Sequence, residues 1–292
     1  MKFRLGSIES NYDGFSQLAD IAEATKELFW DDIEIDMMHT SWFDANMCAP
    51  LGAILYKASR DLNTVKISDK MPSRIKDILS KNRFLSNYGI PAIYDTYGTT
   101  VEYKRFEPKD ERYFADYIEK KLVRKDIMPE MSEALLKKFR ESIFEIFNNA
   151  VIHSKTEMGI FSCGQYYPNQ NRFDFCIADL GVGIRQNVIK YLKKEISADE
   201  AILWALKIGN TTKTGKVPGG IGLKLLREFI SKNKGRIQIV SDKGYWELAK
   251  DGTELIKTLQ FPFPGTAVNI EFNTSDTHSY FLASEIRNED IF

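Results

Sequence analysis

The stretch FDFCIADLGVGI, residues 173–184, decides how the rest of the chain is read. Phe173 to Ala178 reads as a buried strand. It ends on Asp179, and Gly181 and Gly183 follow with one residue between them. A carboxylate at a strand end can accept a hydrogen bond from the exocyclic amine of a base. Two closely spaced glycines let the backbone turn tightly against a flat ligand. An ordinary Asp-Gly turn has the same residues. The dinucleotide fingerprint is not met, because Gln186 stands where its third glycine belongs.

Upstream, ESIFEIFNNAVIHS at 141–154 sits in a helix expected to start after Pro129 and Ser132 and to run to about His153. Glu145, Asn149 and His153 are spaced i, i+4, i+8 and share one face. Leu135, Leu136, Phe139, Ile143, Ile146, Phe147 and Val151 supply an adjacent apolar face. Such a helix can wall a polar pocket; a solvated face with satisfied polar residues has the same spacing. Downstream, GNTTKTGKVPGGIGLKLLREFI at 209–230 carries Lys213 and Lys216, then Gly219, Gly220 and Gly222, then an amphipathic helix. Backbone N–H groups at such a helix start make a phosphate site. It is not a Walker A loop: the spacing is one residue too long and Val217 replaces the required hydroxyl. Last, FPGTAVNIEF at 263–272 opens a strand on Gly265-Thr266, where Thr266 offers a hydroxyl.

The first hundred residues alternate strand and helix patterns. Strands are expected at 3–9, 33–37 and 64–68, and helices at 15–30, 45–60 and 72–85. That order reads as a small α/β layer. The polar stretch 106–110, interrupted by Pro108, is the expected boundary. Beyond it, helices are expected at 110–124, 184–194, 198–208 and 221–233, and strands at 158–163, 173–178, 236–241 and 266–272. The expected domains are 1–107 and 108–276, with a tail at 277–292 that crosses onto a partner or the other domain.

Composition narrows the function. The 292 residues include 40 Lys+Arg and 41 Asp+Glu, a formal net charge of -1, which argues against bulk binding to nucleic acid. Three scattered cysteines and three histidines disfavour a disulfide framework or a multi-histidine metal centre. No apolar run has the length of a membrane span. The opening MKFRLGSIESNYDG lacks the apolar stretch of a signal peptide, so the expected address is the cytoplasm.

Taken in order, Glu145-x-x-x-Asn149, Asp179-Leu180-Gly181-Val182-Gly183, Gly220-Ile221-Gly222 and Gly265-Thr266 resemble the GHKL ATPases, the family of DNA gyrase, heat-shock chaperones, histidine kinases and MutL. The resemblance covers about residues 125 to 275. The form Glu145-x-x-x-Asn149-Ala150-x-x-His153 is most similar to the anti-sigma-factor serine kinases. It implies an α/β (α+β sandwich) fold class: a Bergerat-type ATP-binding domain with a mixed sheet covered by helices, using ATP and Mg²⁺. It implies that Asn149 contacts Mg²⁺, Glu145 is the general base, Asp179 reads the adenine amine, and Gly181 and Gly183 shape that wall. Gly220 and Gly222 would meet the phosphates, Lys213 would reach them from a lid at 185–219, and Thr266 would lie near the adenine.

Residues 33–60 are similar to STAS-type domains, in a strand, an Asp at a helix start (Asp44) and a helix rich in small residues, Ala49, Gly52 and Ala53. The phosphorylatable hydroxyl of that family has no counterpart at Ala45, Asn46 or Met47, which leaves Thr40 or Ser41 as substitutes. A generic docking layer fits as well. The resemblances imply a bacterial source, a homodimer and a protein partner reached through the amino-terminal domain or the lid. Three functions follow: an ATP-gated switch with slow hydrolysis, a serine/threonine kinase acting on a partner, or an inactive nucleotide-binding module. A histidine autokinase is disfavoured, because the upstream histidine, His39, lies beside a strand and not on a long helix.

Overall fold

The computed structural model describes residues 1–124, 126–154, 156–207, 209–210 and 221–285, with the backbone alone at 153, 154, 221 and 222. The chain opens with β1 (Lys2–Arg4), α1 (Tyr12–Thr25), β2 (Asp32–Asp36), α2 (Cys48–Arg60), β3 (Thr64–Ile67) and α3 (Ser73–Lys81). Asn11 starts α1 by accepting a hydrogen bond from the Gly14 N–H at 2.9 Å, a standard helix cap. The three strands pair in parallel in the order β1-β2-β3. Ile33 and Ile35 of β2 point inward and Glu34 points out, where it pairs with Lys2 at 3.0 Å. Stepping the same way across the sheet with right-handed crossovers puts α1 and α2 on one face, where they touch.

The second part comprises β4 (Thr100–Phe106), α4 (Glu111–Lys121), α5 (Glu133–Ser154), β5 (Ile160–Tyr167), β6 (Arg172–Asp179), α6 (Gly183–Leu192), α7 (Ala198–Leu206), α8 (Ile221–Asn233), β7 (Arg236–Leu248) and β8 (Glu254–Asn273). The strands form one sheet in the order β4-β5-β6-β8-β7. Every pairing is antiparallel, which corrects the expected mixed sheet. The β5–β6 and β7–β8 links are short hairpins, and a hairpin permits only antiparallel neighbours.

Both faces of this sheet are buried, and its strands alternate between two cores. Phe173, Phe175 and Ile177 of β6 pack with Phe114, Phe139, Phe147 and Phe229 of α4, α5 and α8. Cys176 and Ala178 of the same strand pack with Phe15, Leu18, Leu51, Ile54 and Leu55 of α1 and α2. Four layers result: the small sheet, α1 and α2, the large sheet, and the helices beyond it. All three cysteines are free and buried. Among the described residues no helix is long and apolar enough to cross a membrane.

The second interface also carries charge. Arg172 enters from β6 and pairs with Asp44, from the loop before α2, at 2.7 Å. Asp44, 2 % exposed, also accepts from the Ser10 N–H at 2.7 Å and the Trp42 indole at 2.8 Å. Asn46 donates to Asn269 at 2.6 Å, and Gln238 donates to the Ser10 carbonyl at 2.7 Å. These bonds sew the amino-terminal layer to β6, β7 and β8.

Several expectations shift. Residues 100–106 form β4, which the sequence reading did not foresee, and its pairing with β5 puts it in the second sheet. The helix expected to reach residue 30 ends at Thr25. The described part of the tail folds back on its own unit: the Tyr280 N–H donates to the Glu130 carbonyl at 2.9 Å, and its ring meets Phe229 at 5.2 Å.

Removing one partner of a buried ion pair costs about 3–5 kcal/mol, against about 0–1 for an exposed one. Asp44→Ala, which takes from the buried Arg172 its carboxylate in the amino-terminal layer, is expected to lower stability in urea several-fold more than Lys2→Ala. Equal losses would show that the Asp44 pair does not hold the layers together.

Candidate functional site

β6 ends at Asp179, directly opposite Thr266 of β8 in the register. Asp179 is 5 % exposed, and its Oδ1 accepts a hydrogen bond from the Gly181 N–H at 2.7 Å. Burial pushes its carboxyl up to about 7, while hydrogen bonds from the Gly181 and Thr266 backbones pull the other way.

Two glycines make this corner possible. Gly265 has φ +84°, and a Cβ there would lie 2.2 Å from the Asp179 carbonyl oxygen. Gly183, at the start of α6, has φ +75°, and a Cβ there would lie 2.9 Å from Ser241 Oγ. Both positions demand left-handed backbone and close approach at once. Ser241 is the residue that sequence reasoning missed. It is 1 % exposed on β7. Its hydroxyl donates to the Gly265 carbonyl at 2.8 Å, accepts from the Ile184 N–H at 2.9 Å, and lies 3.1 Å from the Thr266 hydroxyl. The signal for it is the polar pair Ser241-Asp242 breaking the run RIQIV, where the β7–β8 register shifts.

α5 lies against β6 and touches α6 and α8. It buries Ser142, Ile143, Ile146, Phe147 and Ala150. Glu145 and Asn149, one turn apart, are half-buried beside that stripe. Gly222 lies in the first turn of α8. Lys213 and Gly220 lie outside the described residues, as does the His153 side chain. The structure thus brings Asp179, Gly181, Gly183 and Thr266 to one corner, with α5 packed on the strand that supplies it.

Of the lid expected at 185–219, the described part is largely helical. Ser197 and Glu200 form a reciprocal cap at the start of α7. Arg185 of α6 donates to the Ile196 carbonyl at 2.8 Å and pairs with Asp242 at 3.4 Å, and Tyr191 meets Trp204 at 5.4 Å. The hydroxyls left open as phosphorylation sites differ in access. Thr40 is fully buried and donates to the Leu5 carbonyl at 2.9 Å. Ser41 is exposed, 2.5 Å from Ser7 Oγ.

Among the described residues no group of three or more His, Cys, Asp or Glu could hold a metal. An amide oxygen such as that of Asn149 is a hard donor of the class that Mg²⁺ accepts beside phosphates and water.

The Asp179 carboxyl predicts a pH dependence. Its folded-state value, about 7, exceeds the ordinary 3.8, so the folded chain retains a proton that the unfolded chain releases. That contribution is full below about pH 4 and is lost as pH rises through about 7. Stability measured in urea is therefore expected to fall more steeply between about pH 5 and pH 8 in the wild type than in Asp179→Asn. Parallel profiles would show that Asp179 does not titrate in this range.

Compared with known proteins, the chain matches no family model, and no curated protein is similar to it.

Proposed function

We propose that this protein binds Mg²⁺-ATP at the corner formed by Asp179, Gly181, Gly183 and Thr266, with α5 as the facing wall, and acts as an ATP-gated switch with slow hydrolysis. One observation carries this reading: a buried carboxylate and a hydroxyl from different strands stand side by side at the sheet's end, locked by two left-handed glycines. This is the disposition that the GHKL resemblance requires, and composition or spacing alone does not produce it.

Bound Mg²⁺-ATP supplies the transferable phosphoryl group and the ion that neutralises its charge. The chain's own groups do the rest. Asp179 accepts from an exocyclic amine, with the Gly181 and Thr266 backbone N–H groups fixing the carboxylate plane. Thr266 sits beside it with its hydroxyl 3.1 Å from Ser241. Asn149 offers its amide oxygen to the ion. Glu145, half-buried one turn earlier, takes the proton from an attacking water. The first turn of α8, with Gly222, points backbone N–H groups at phosphate. Lys213 and Gly220 complete this proposed set. The three-stranded layer is a STAS-like docking module, and we place the switch in the cytoplasm as a homodimer acting on a protein partner.

Calorimetric titration of the full chain with ATP, with and without Mg²⁺, followed by phosphate release, tests this. Mg²⁺-dependent binding is expected. Asp179→Asn should weaken it at least about tenfold, and Glu145→Ala should keep binding while cutting turnover about 10²–10⁴-fold, the usual worth of a general base. No binding overturns the nucleotide site. Binding without phosphate release overturns hydrolysis and leaves the kinase and the inactive nucleotide-binding module, which transfer of phosphate to a protein hydroxyl then separates.

A further inference from the structure

At the other end of the five-stranded sheet, a cavity of about 430 Å³ opens between the amino-terminal layer and the strands. Small-molecule sites run from about 300 to 1,000 Å³. Ser10, Trp42 and Asp44 line it from one side, and Arg172, Arg236 and Lys250 from the other. Arg172 and Asp179 are the two ends of β6, about 24 Å apart at ~3.4 Å per residue. The cavity is therefore separate from the corner at Asp179.

Three cations converge on it. Arg236 pairs with Glu271 at 2.7 Å, and Lys250 pairs with the same carboxylate. Arg172 pairs with Asp44 at 2.7 Å and lies 2.8 Å from Asp174, off the line of a hydrogen bond. Burial raises the Asp174 carboxyl, while the Arg172 and Arg236 guanidiniums pull it back down, and neither of its oxygens has a hydrogen-bond partner. Glu247, 4.0 Å from Arg236, already accepts from Tyr245 and Gln238.

Donors are left over. The Arg236 Nη1 has one long hydrogen bond, 3.4 Å to the Ser10 carbonyl. The Lys250 side chain is 52 % exposed, and among the described residues its ion-pair partner is Glu271. On the rim, exposed Glu9 takes a 3.3 Å bond from Asn11 and has acceptor capacity to spare. Among the described lining residues the aromatic one is Trp42, and its ring already carries the Arg74 guanidinium at 4.5 Å and stacks on Tyr167 at 6.2 Å.

We propose that this cavity is a second ligand site, for a small, hydroxylated, non-aromatic anion, a phosphomonoester or carboxylate. Arg236 and Lys250 hold the anionic group, and Glu9 accepts from a hydroxyl. A ligand here touches both layers, so its binding stabilises their docking.

The test is thermal unfolding and calorimetry of the full chain with ribose 5-phosphate and gluconate, against ribose and inorganic phosphate. At least one of the first two should bind and raise the melting temperature, and ribose should do neither. Lys250→Gln, a change at a half-exposed side chain, should weaken binding at least tenfold, and Asp179→Asn should leave it unchanged. No binding by either anion overturns the site. Binding lost in Asp179→Asn but kept in Lys250→Gln would put the ligand at the other end of the sheet. Inorganic phosphate binding as tightly as ribose 5-phosphate would overturn the role of Glu9.

Discussion

All eight residues of β6, from Arg172 to Asp179, are buried, and each must face one of two cores. The strand cannot slip by one residue without sending Phe173, Phe175 and Ile177 into the wrong layer and Arg172 into the aromatic core. This double burial holds the rest of the molecule in place. β5 and β8 take their register from β6, β7 takes its own from β8, and α5 packs across β6. Asp179 is presented at the end of the sheet's central strand, because β6 stops there opposite Thr266 of β8.

The two faces of the sheet do different work. The face toward α4, α5 and α8 is aromatic, with Phe114 and Phe147 stacked at 4.2 Å. The face toward α1 and α2 changes character along its length. Near Asp179 it is small and apolar, with Cys176, Ala178 and Ala267. Near Arg172 it is ionic, with Asp174, Arg236 and Glu271. Buried ion pairs add little net stability, but leaving one unmatched is costly. The ionic end therefore acts as a key: the amino-terminal layer fits where Asp44 meets Arg172, and a shifted fit strands a charge.

What the sequence shows of this follows from which forces act locally. The run Phe173–Ala178, the glycines after it and the periodic helix 133–154 are local patterns, and the strand and helix expected there are present. β4 was missed because TVEYKRF mixes charged and apolar residues, and its pairing with β5 is a long-range choice. β7 and β8 run well beyond their expected ends, since their far halves pair only with each other. The ion pairs of Arg172, Asp174 and Glu271 were not foreseen, because no local rule foretells a second layer covering that face. At the candidate site, Asp179 and Gly265-Thr266 were legible as separate signals. Ser241 was not, because its three hydrogen bonds join segments distant in the chain.

The proposed adenine-nucleotide site is the corner where Asp179, Ser241 and Thr266 meet. Amide hydrogen exchange of the full chain, with and without Mg²⁺-ATP, reads that corner residue by residue. Slowed exchange at 180–184 and 265–267, with 42–46 at the opposite end of the sheet unchanged, is the expected result. Unchanged exchange at 180–184, or slowing confined to the opposite end, would contradict it.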